Sequence, residues 1–202
     1  MVNRLNKQFV LASSNAGKIR EIQALTADHG IEILPQSQFA VPDVEETGLT
    51  FVENAILKAR QAALVSELPA IADDSGLEVD ALGGAPGVRS ARFAGEGASD
   101  EANNLKLLEC LSDVPESGRT ARFRCVMVFL RSADDAGPII AQGVWEGRIL
   151  REIRGNNGFG YDPLFWLPDR GCTSAELSSD EKNGLSHRGQ ALRSLMVQLF
   201  EK

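Results

Sequence analysis

The sequence predicts an α/β fold built around a mixed β-sheet. Short apolar runs alternate with amphipathic helical patterns in the N-terminal half, which is typical of strands paired with covering helices. Residues 8–12 form the first such run, and the helical pattern after it places apolar side chains on one face at Ile19, Ile22 and Leu25. Two longer strand-like segments follow at residues 122–130 and 139–149. No linker is long enough to separate two domains, so residues 1–202 are expected to form a single domain.

Further elements are predicted from their capping residues. Thr50 and Glu53 have the capping-box spacing and open a helix with an apolar face. Ser99 caps a helix that runs to about Leu111, and Ser186 caps the last helix. We expect the inward side chains of the Ser99 helix to be Leu105, Leu108 and Leu111. A second buried strand is predicted at residues 70–72 and is expected to end at Asp73.

Composition and charge exclude several classes of protein. Of the 202 residues, 43% are hydrophobic and 24% are charged, as in a globular protein. The net charge of -7 disfavours binding along a nucleic acid, which requires a basic surface. We find no apolar run of about 18 residues, as a membrane helix would need, and no secretory signal in the first residues. Three cysteines without CxxC spacing indicate a reducing cytoplasm, and two histidines, His29 and His187, are too few for a His-based metal site.

The first candidate site is the strand–turn–helix segment that contains Ser13, Ser14, Asn15, Ala16, Gly17 and Lys18. Small residues let the backbone approach a phosphate, the helix N-terminus supplies free N–H groups, and the lysine adds a positive charge. The segment is not a P-loop, because the first glycine is absent and Ile19 follows the lysine. An ordinary strand-to-helix turn is the alternative interpretation.

Acidic pairs form a second candidate site. Asp73 and Asp74 follow an apolar strand, and Glu45 and Glu46 lie in a predicted loop. Consecutive strand residues point to opposite faces, so at most one of Asp73 and Asp74 faces a given site. Carboxylate oxygens suit magnesium, which commonly takes one or two of them together with water and phosphate. Turn capping and a solvated loop are the alternative roles, and Lys58, which shares a helix face with Asn54, is by itself most often a surface lysine.

Two C-terminal motifs have the chemistry to recognise an aromatic or acceptor-rich ligand. The glycine-rich loop that ends in Phe159, Gly160, Tyr161, Asp162 and Pro163 presents an aromatic ring for stacking on a purine, or else covers a core aromatic residue. Ser186, His187 and Arg188 start a helix, with Lys182 shortly before it. Cations are unfavourable at a helix N-terminus, so their presence there indicates a nearby anion or acceptor. A Ser/His/Asp hydrolase is excluded, because no G-x-S-x-G elbow is present.

The order and spacing of these motifs resemble the inosine triphosphate pyrophosphatase family, and within it the bacterial enzymes that act on dITP and XTP. The resemblance extends from about Phe9 to Leu199. It rests on Ser13-x-Asn15-x-x-Lys18, Glu45-Glu46-Thr47-Gly48, Phe51-x-Glu53-Asn54-Ala55, Lys58-Ala59, Ala72-Asp73-Asp74-Ser75-Gly76-Leu77, Leu82-Gly83-Gly84-Ala85-Pro86-Gly87, Phe159-Gly160-Tyr161-Asp162-Pro163 and Ser186-His187-Arg188. One departure is Ser13-Ser14, where the family commonly has Thr-Gly.

The resemblance implies a magnesium-dependent hydrolase that removes non-standard purine nucleotides before they enter DNA or RNA. It would split dITP, ITP or XTP between the α- and β-phosphates, giving the nucleoside monophosphate and diphosphate. It also implies an elongated two-lobed fold with the nucleotide in a cleft between the lobes, a cytoplasmic homodimer, and no nucleic-acid or membrane partner.

The resemblance assigns roles residue by residue. Residues 13–18 and Lys58 would hold the triphosphate, assisted by the Ser75 hydroxyl. Asp74 would bind magnesium or act as general base, with Glu46 as its metal partner and Glu45 as the alternative. Phe159 would stack on the purine, and Asp162 would fix the loop or the base edge. The other residues that would bind the purine are Gly160, Tyr161, Lys182, His187 and Arg188.

Donors at the purine C6 oxygen would accept hypoxanthine and xanthine and refuse adenine, because a buried unpaired polar group costs about 1–3 kcal/mol. Guanine shares that oxygen and would have to be refused at C2. Two other functions stay open: a Maf-like pyrophosphatase for modified nucleotides, and a nucleotide-binding sensor without catalysis.

Overall fold

The computed structural model describes residues 7–27 and 30–200, which form seven strands and five helices. The strands are β1 (Lys7–Leu11), β2 (Ile31–Pro35), β3 (Ala70–Val79), β4 (Thr120–Leu130), β5 (Ile139–Ile149), β6 (Phe165–Leu167) and β7 (Cys172–Thr173). The helices are α1 (Ala16–Thr26), α2 (Phe51–Ser66), α3 (Asp100–Cys110), α4 (Ser179–Leu185) and α5 (His187–Phe200). His29 lies outside the described residues, so its structural role is not described.

The strands form a sheet in the order β2-β1-β3-β4-β5-β6-β7. Strand β1 pairs in parallel with β2 and β3, whereas β6 pairs antiparallel with β5 and β7. The predicted α/β fold with a mixed sheet is therefore confirmed. No helix in the described ranges combines the length and apolar character needed to cross a membrane.

The chain divides into two compact units. Unit 1 comprises residues 1–74, 126–142 and 188–202, and unit 2 comprises residues 75–125 and 143–187. Strands β3, β4 and β5 contribute residues to both. The expected single domain, and the nucleotide cleft implied by the family resemblance, stay predictions.

Strand β3 is longer than the sequence predicts. It continues through Asp73, Asp74, Ser75 and Gly76 to Val79, so the prediction that the strand ends at the acidic pair is wrong. A run of Asp, Ser and Gly usually marks a turn, because these residues disfavour strands. Here both carboxylates are buried against basic side chains of unit 1, and these tertiary contacts outweigh local propensity.

The caps of α2 and α3 agree with the prediction from sequence, but the buried face of α3 differs from it. Both reciprocal contacts of the Thr50–Glu53 capping box are present, and Ser99 caps α3 by accepting from the backbone N–H of Ala102. Leu105 is exposed, contrary to expectation. The buried face of α3 instead begins with an amide pair and continues with leucines, at Asn103, Asn104, Leu107 and Leu111.

The core of unit 2 encloses one fully buried arginine. Its apolar cluster includes Leu77, Phe123, Trp145 and Phe165. The guanidinium of Arg119 donates to three carbonyl oxygens within this unit, those of Leu111, Ile149 and Leu150, at 2.6–2.9 Å. Buried polar groups are tolerated when they are hydrogen-bonded in this way.

Replacing Arg119 with methionine should lower the free energy of unfolding by about 3 kcal/mol, because three carbonyls lose their donor while apolar bulk is retained. Arg148→Met is the matched control, since Arg148 is half-buried and donates to a single carbonyl, that of Glu116. The control should change stability by less than about 1 kcal/mol. Urea unfolding of both variants measures the difference, and equal losses would contradict the explanation.

Candidate active site

A lysine on α2 joins two carboxylates from different parts of unit 1. The Lys58 Nζ lies 2.7 Å from Asp74 Oδ1 in β3 and 3.0 Å from Glu46 Oε1 in the preceding loop. The buried Asn54, one turn before Lys58, donates to Asp74 Oδ2 at 3.4 Å and accepts from the Gly48 N–H at 2.8 Å. Helix α2 therefore positions both carboxylates toward one cation. We call Glu46, Asn54, Lys58 and Asp74 the carboxylate–lysine cluster.

The neighbouring carboxylate, Asp73, is enclosed by a different set of cations. Its Oδ2 lies 3.1 Å from Lys18 Nζ on α1 and 3.2 Å from the Arg188 guanidinium on α5. Arg188 also forms a salt bridge with Glu21 of α1. Asp73 and Asp74 thus point to different partners, as the alternation of strand side chains requires.

The pKa values of the two adjacent aspartates are shifted in opposite directions. Burial alone would raise the pKa of Asp73, but the charges of Lys18, Arg188 and Lys58 outweigh it and hold that pKa well below its usual value. Burial raises the pKa of Asp74 above its usual value, although Lys58 acts against it. Burial would lower the pKa of Lys58, yet the surrounding carboxylates, with Asp74 the strongest, raise it. Lys58 is therefore charged at neutral pH, and Asp74 is the more basic of the two aspartates.

The segment from Ser13 to Lys18 forms the N-terminus of α1. Asn15 is the cap, and its side-chain oxygen accepts from the Lys18 N–H at 3.1 Å. The Ser13 hydroxyl accepts from the Asn15 N–H at 3.2 Å. Ser14 and Ala16 are exposed, whereas Gly17 is buried. The backbone N–H groups of the first helical turn are the groups that bind anions at helix N-termini.

In unit 2, Asp162 organises the second group of predicted residues. Its Oδ2 accepts from the Phe159 N–H at 2.9 Å and from Lys182 Nζ at 2.6 Å, and its Oδ1 accepts from the Ser174 hydroxyl at 2.7 Å. The Lys182 ammonium lies 4.7 Å from the centre of the Phe159 ring. Asp162 therefore fixes the loop and the lysine. We call Phe159, Asp162, Ser174 and Lys182 the aromatic–lysine cluster.

The remaining predicted site residues lie outside these two clusters or contact other groups. His187 is buried and stacks on Phe123, with 4.8 Å between ring centres and an angle of 12° between planes. The buried Tyr161 hydroxyl donates to the Ser90 carbonyl at 2.8 Å. Ser75 is half-buried and directly follows Asp74 in β3. Arg188, predicted beside His187 as a base-recognition residue, pairs with Asp73 and Glu21, and its role toward the base stays a prediction.

The carboxylate–lysine cluster fits a divalent cation by the chemistry of its donors. Two carboxylates converge on the Lys58 ammonium, so their oxygens already meet at one positive charge. Magnesium usually takes one or two protein carboxylates and completes its shell with water and phosphate oxygens. No group of three or more His, Cys, Asp or Glu side chains suited to a metal occurs among the described residues. Glu45 is exposed, and Glu46 is the residue that contacts Lys58.

Sequence analysis missed three contributors to these clusters. Glu21 lies three residues after Lys18 on the same helix, a spacing that places the two side chains on one face. Ser174 and Phe123 come from segments distant in sequence, and no local pattern connects them with Asp162 or His187.

The fold and these clusters are those of an α/β protein whose side chains suit a phosphorylated ligand. A sequence model of the Ham1 family matches residues 9–198, so the chain belongs to the Ham1 family. The dITP/XTP pyrophosphatase of Thioalkalivibrio sulfidiphilus is 63% identical over 192 residues, with 95% of this chain and 98% of the relative covered. The dITP/XTP pyrophosphatase of Vibrio cholerae is 56% identical over 196 residues, with 97% and 98% covered.

Solved structures agree with this assignment. The HAM1 protein from Coxiella burnetii superposes with a TM-score of 0.90 at 52% identity and covers 97% of this chain and 100% of its own. The Staphylococcus aureus Ham1 protein gives a TM-score of 0.85 at 43% identity, with the same coverage. The family resemblance inferred from the motifs is thereby confirmed.

Asp73→Asn should lower the free energy of unfolding at neutral pH by about 3–5 kcal/mol, because the half-buried Lys18 and the buried Arg188 lose the carboxylate between them and Arg188 keeps only Glu21. The pKa of Asp73 is depressed in the folded state, so its contribution is present above the unfolded value of about 3.9 and is lost as pH falls below it. The stability difference between variant and parent should therefore be constant above about pH 5 and narrow in acid.

Asp80→Asn serves as the control for this prediction. Asp80 pairs with Arg122 in an exposed position, and such pairs contribute at most about 1 kcal/mol. Thermal or urea unfolding from pH 3 to pH 8 makes the comparison. A pH-independent difference for Asp73→Asn would contradict the electrostatic explanation.

Proposed function

We propose that this protein is a nucleoside triphosphate pyrophosphohydrolase for non-standard purine nucleotides. It converts dITP, ITP or XTP and water into the nucleoside monophosphate and diphosphate, and so keeps these nucleotides out of DNA and RNA. The observation that carries the proposal is the Lys58 ammonium between Glu46 and Asp74, two carboxylates suited to a metal beside a cation suited to a phosphate. Membership in the Ham1 family and relatives named dITP/XTP pyrophosphatase support the substrate class.

Unit 1 supplies the groups for the triphosphate. The N-terminus of α1 offers backbone N–H groups together with the Ser13 hydroxyl and Lys18, and α2 offers Lys58. Phosphoryl hydrolysis depends mainly on positioning and on neutralising charge as the bond to the leaving phosphate breaks. Lysines held by carboxylates are oriented in advance, and the approaching phosphate oxygens would compete with those carboxylates for the ammonium groups.

Glu46 and Asp74 would hold magnesium when it is bound. The metal would then neutralise phosphate charge and polarise the phosphorus under attack. Two carboxylate ligands leave positions for water and substrate oxygens, as magnesium sites with a phosphate substrate usually do.

Asp74 is the proposed catalytic residue. In the metal-free protein, burial raises the pKa of Asp74 above its usual value. Its carboxylate would take a proton from the attacking water. The water oxygen forms a bond to the α-phosphorus, the bond to the bridging oxygen of the β-phosphate breaks, and diphosphate leaves with its electron pair. Asn54 and Lys58 hold the Asp74 carboxylate in place for either role, base or metal ligand.

Unit 2 supplies the groups for the base. The Phe159 ring provides a stacking surface, and Lys182, held by Asp162, provides donor hydrogens for the C6 oxygen of hypoxanthine or xanthine. Adenine carries an amino donor at this position and would leave the Lys182 donor unpaired, which sites of this kind discriminate strongly against. His187 is buried and stacks on Phe123, and we propose that it supports the base site by packing.

Diphosphate release from a panel of triphosphates with magnesium tests the function. We expect kcat/KM for dITP and XTP to exceed that for dATP and dGTP by at least about 100-fold. Asp74→Asn should lower kcat on dITP by at least about 100-fold. Activity confined to modified pyrimidine nucleotides would replace the proposal with a Maf-like function, and binding without turnover by the parent protein would indicate a sensor.

The adjacent glutamates offer a matched test of the metal role. Glu46→Gln should raise the magnesium concentration for half-maximal activity at least about 10-fold, because one ionic ligand is lost. Glu45→Gln should stay within about 2-fold of the parent, since Glu45 is exposed. Magnesium titration of both variants with dITP decides the matter. Equal responses of the two variants would remove Glu46 from the metal site.

We also propose a cytoplasmic homodimer with a small-molecule substrate and neither a nucleic-acid nor a membrane partner. The family resemblance supports the dimer, and the net charge of -7 supports the absence of nucleic-acid binding.

A further inference from the structure

Helix α3 contacts the loop that carries Phe159 at Gly160, one of the two glycines that flank the aromatic residue. Phe159 lies between Gly158 and Gly160, and both glycines have positive φ, +78° and +61°. Glycine adopts this backbone conformation readily and also leaves it readily, because no side chain restricts it. An aromatic ring between two such residues needs external contacts to keep one orientation.

Both backbone polar groups of Gly160 bond to side chains of α3. The Gly160 N–H donates to Asp100 Oδ2 at 2.6 Å, and its carbonyl accepts from the Asn104 amide at 2.8 Å. Asp100 and Asn104 are four residues apart, so they lie on one face of the helix. The same Asn104 amide donates to the Asp100 carbonyl at 2.8 Å, which orients its NH₂ group toward the loop.

The burial of Asn104 indicates a specific role for this contact. Asparagine is a weak helix former and is seldom buried, yet Asn104 is only 3% exposed in the middle of α3. The preceding Asn103, 2% exposed, makes a comparable pair of bonds to the backbone of Ala91 and Ala94. One asparagine therefore holds residues 91–94, and the other holds the Phe159 loop.

We propose that Asp100 and Asn104 are positioning residues that hold the Phe159 ring in the orientation in which it stacks on the purine base. The proposal rests on the proposed function, because it assumes that Phe159 binds the base. Neither residue belongs to the carboxylate–lysine cluster of unit 1, so their loss weakens base binding and leaves the chemistry at phosphorus largely intact.

Steady-state kinetics separate positioning from simple destabilisation. Asn104→Ala should raise KM for dITP by about 10-fold, the size of one lost hydrogen bond to the loop, while kcat changes by less than about 2-fold. Asn103→Ala is the matched control, with the same residue type, helix, burial and number of side-chain hydrogen bonds. It should lower stability by a similar amount and leave KM within about 2-fold.

A double-mutant cycle with Phe159→Ala identifies the route of the effect. If α3 acts through the ring, Asn104→Ala should raise KM by less than about 2-fold in a protein that already lacks Phe159. The same 10-fold rise in both backgrounds would overturn the proposal, and so would an unchanged KM for Asn104→Ala in the presence of Phe159.

Amide hydrogen exchange at Gly160, measured by NMR, tests its hydrogen bond to Asp100 independently of enzymatic activity. Asp100→Ala should increase the exchange rate of this amide, whereas Asp100→Asn, which keeps an acceptor oxygen, should preserve its protection. Equal exchange in the two variants would overturn the proposal. An inactive parent protein with the expected exchange pattern would instead refute the proposed function and leave the contact itself established.

Discussion

The buried carboxylate of Asp73 is the interaction on which the arrangement of unit 1 depends. It neutralises Lys18 of α1 and Arg188 of α5 from the centre of β3, and Glu21 completes the network. Desolvating one of these charges alone is unfavourable by several kcal/mol, so the three segments are stable only together. This requirement also explains why an Asp-Asp-Ser-Gly sequence stays in a strand. Because Asp73 faces Lys18 and Arg188, the next residue along the strand points the other way, toward Lys58 of α2.

The position of the candidate active site thus depends on strand β3, which the ion pairs of Asp73 hold against α1 and α5. Asp74 meets Lys58 because α2 packs with its capped end near the loop of Glu46, and Asn54 joins that loop to the strand. Gly48 accommodates this close approach, since a Cβ at its position would lie 2.6 Å from Asn54 Oδ1. In unit 2, the Asp162 carboxylate likewise joins several segments, because it accepts hydrogen bonds from the Phe159 N–H, the Ser174 hydroxyl and the Lys182 ammonium. Both units therefore use a buried aspartate to orient a lysine.

Much of this was predictable from sequence, and the failures have physical causes. Capping residues and helical spacing predicted α2, α3 and α5, because these signals are local. The motifs grouped the candidate residues, and one of the two roles predicted for Asp162, fixing its loop, agrees with its bond to the Phe159 N–H. They did not predict that Arg188 would pair with Asp73. Strand β3 and the exposed Leu105 were mispredicted because tertiary contacts of Asp73, Asp74, Asn103 and Asn104 override local propensity. Strands β6 and β7, with three and two residues, are too short to leave a periodic pattern.

The contrast between Asp73 and Asp74 has a consequence for how such a protein can evolve. The salt bridges of Asp73 keep its pKa low and join segments of unit 1, whereas burial raises the pKa of Asp74, which contacts Lys58 and Asn54. A substitution at Asn54, which donates to Asp74, would change the surroundings of that carboxylate and leave the ion pairs of Asp73 in place. Two neighbouring positions of identical residue type are thus open to separate change, since one is tied to the stability of unit 1 and the other to the carboxylate–lysine cluster.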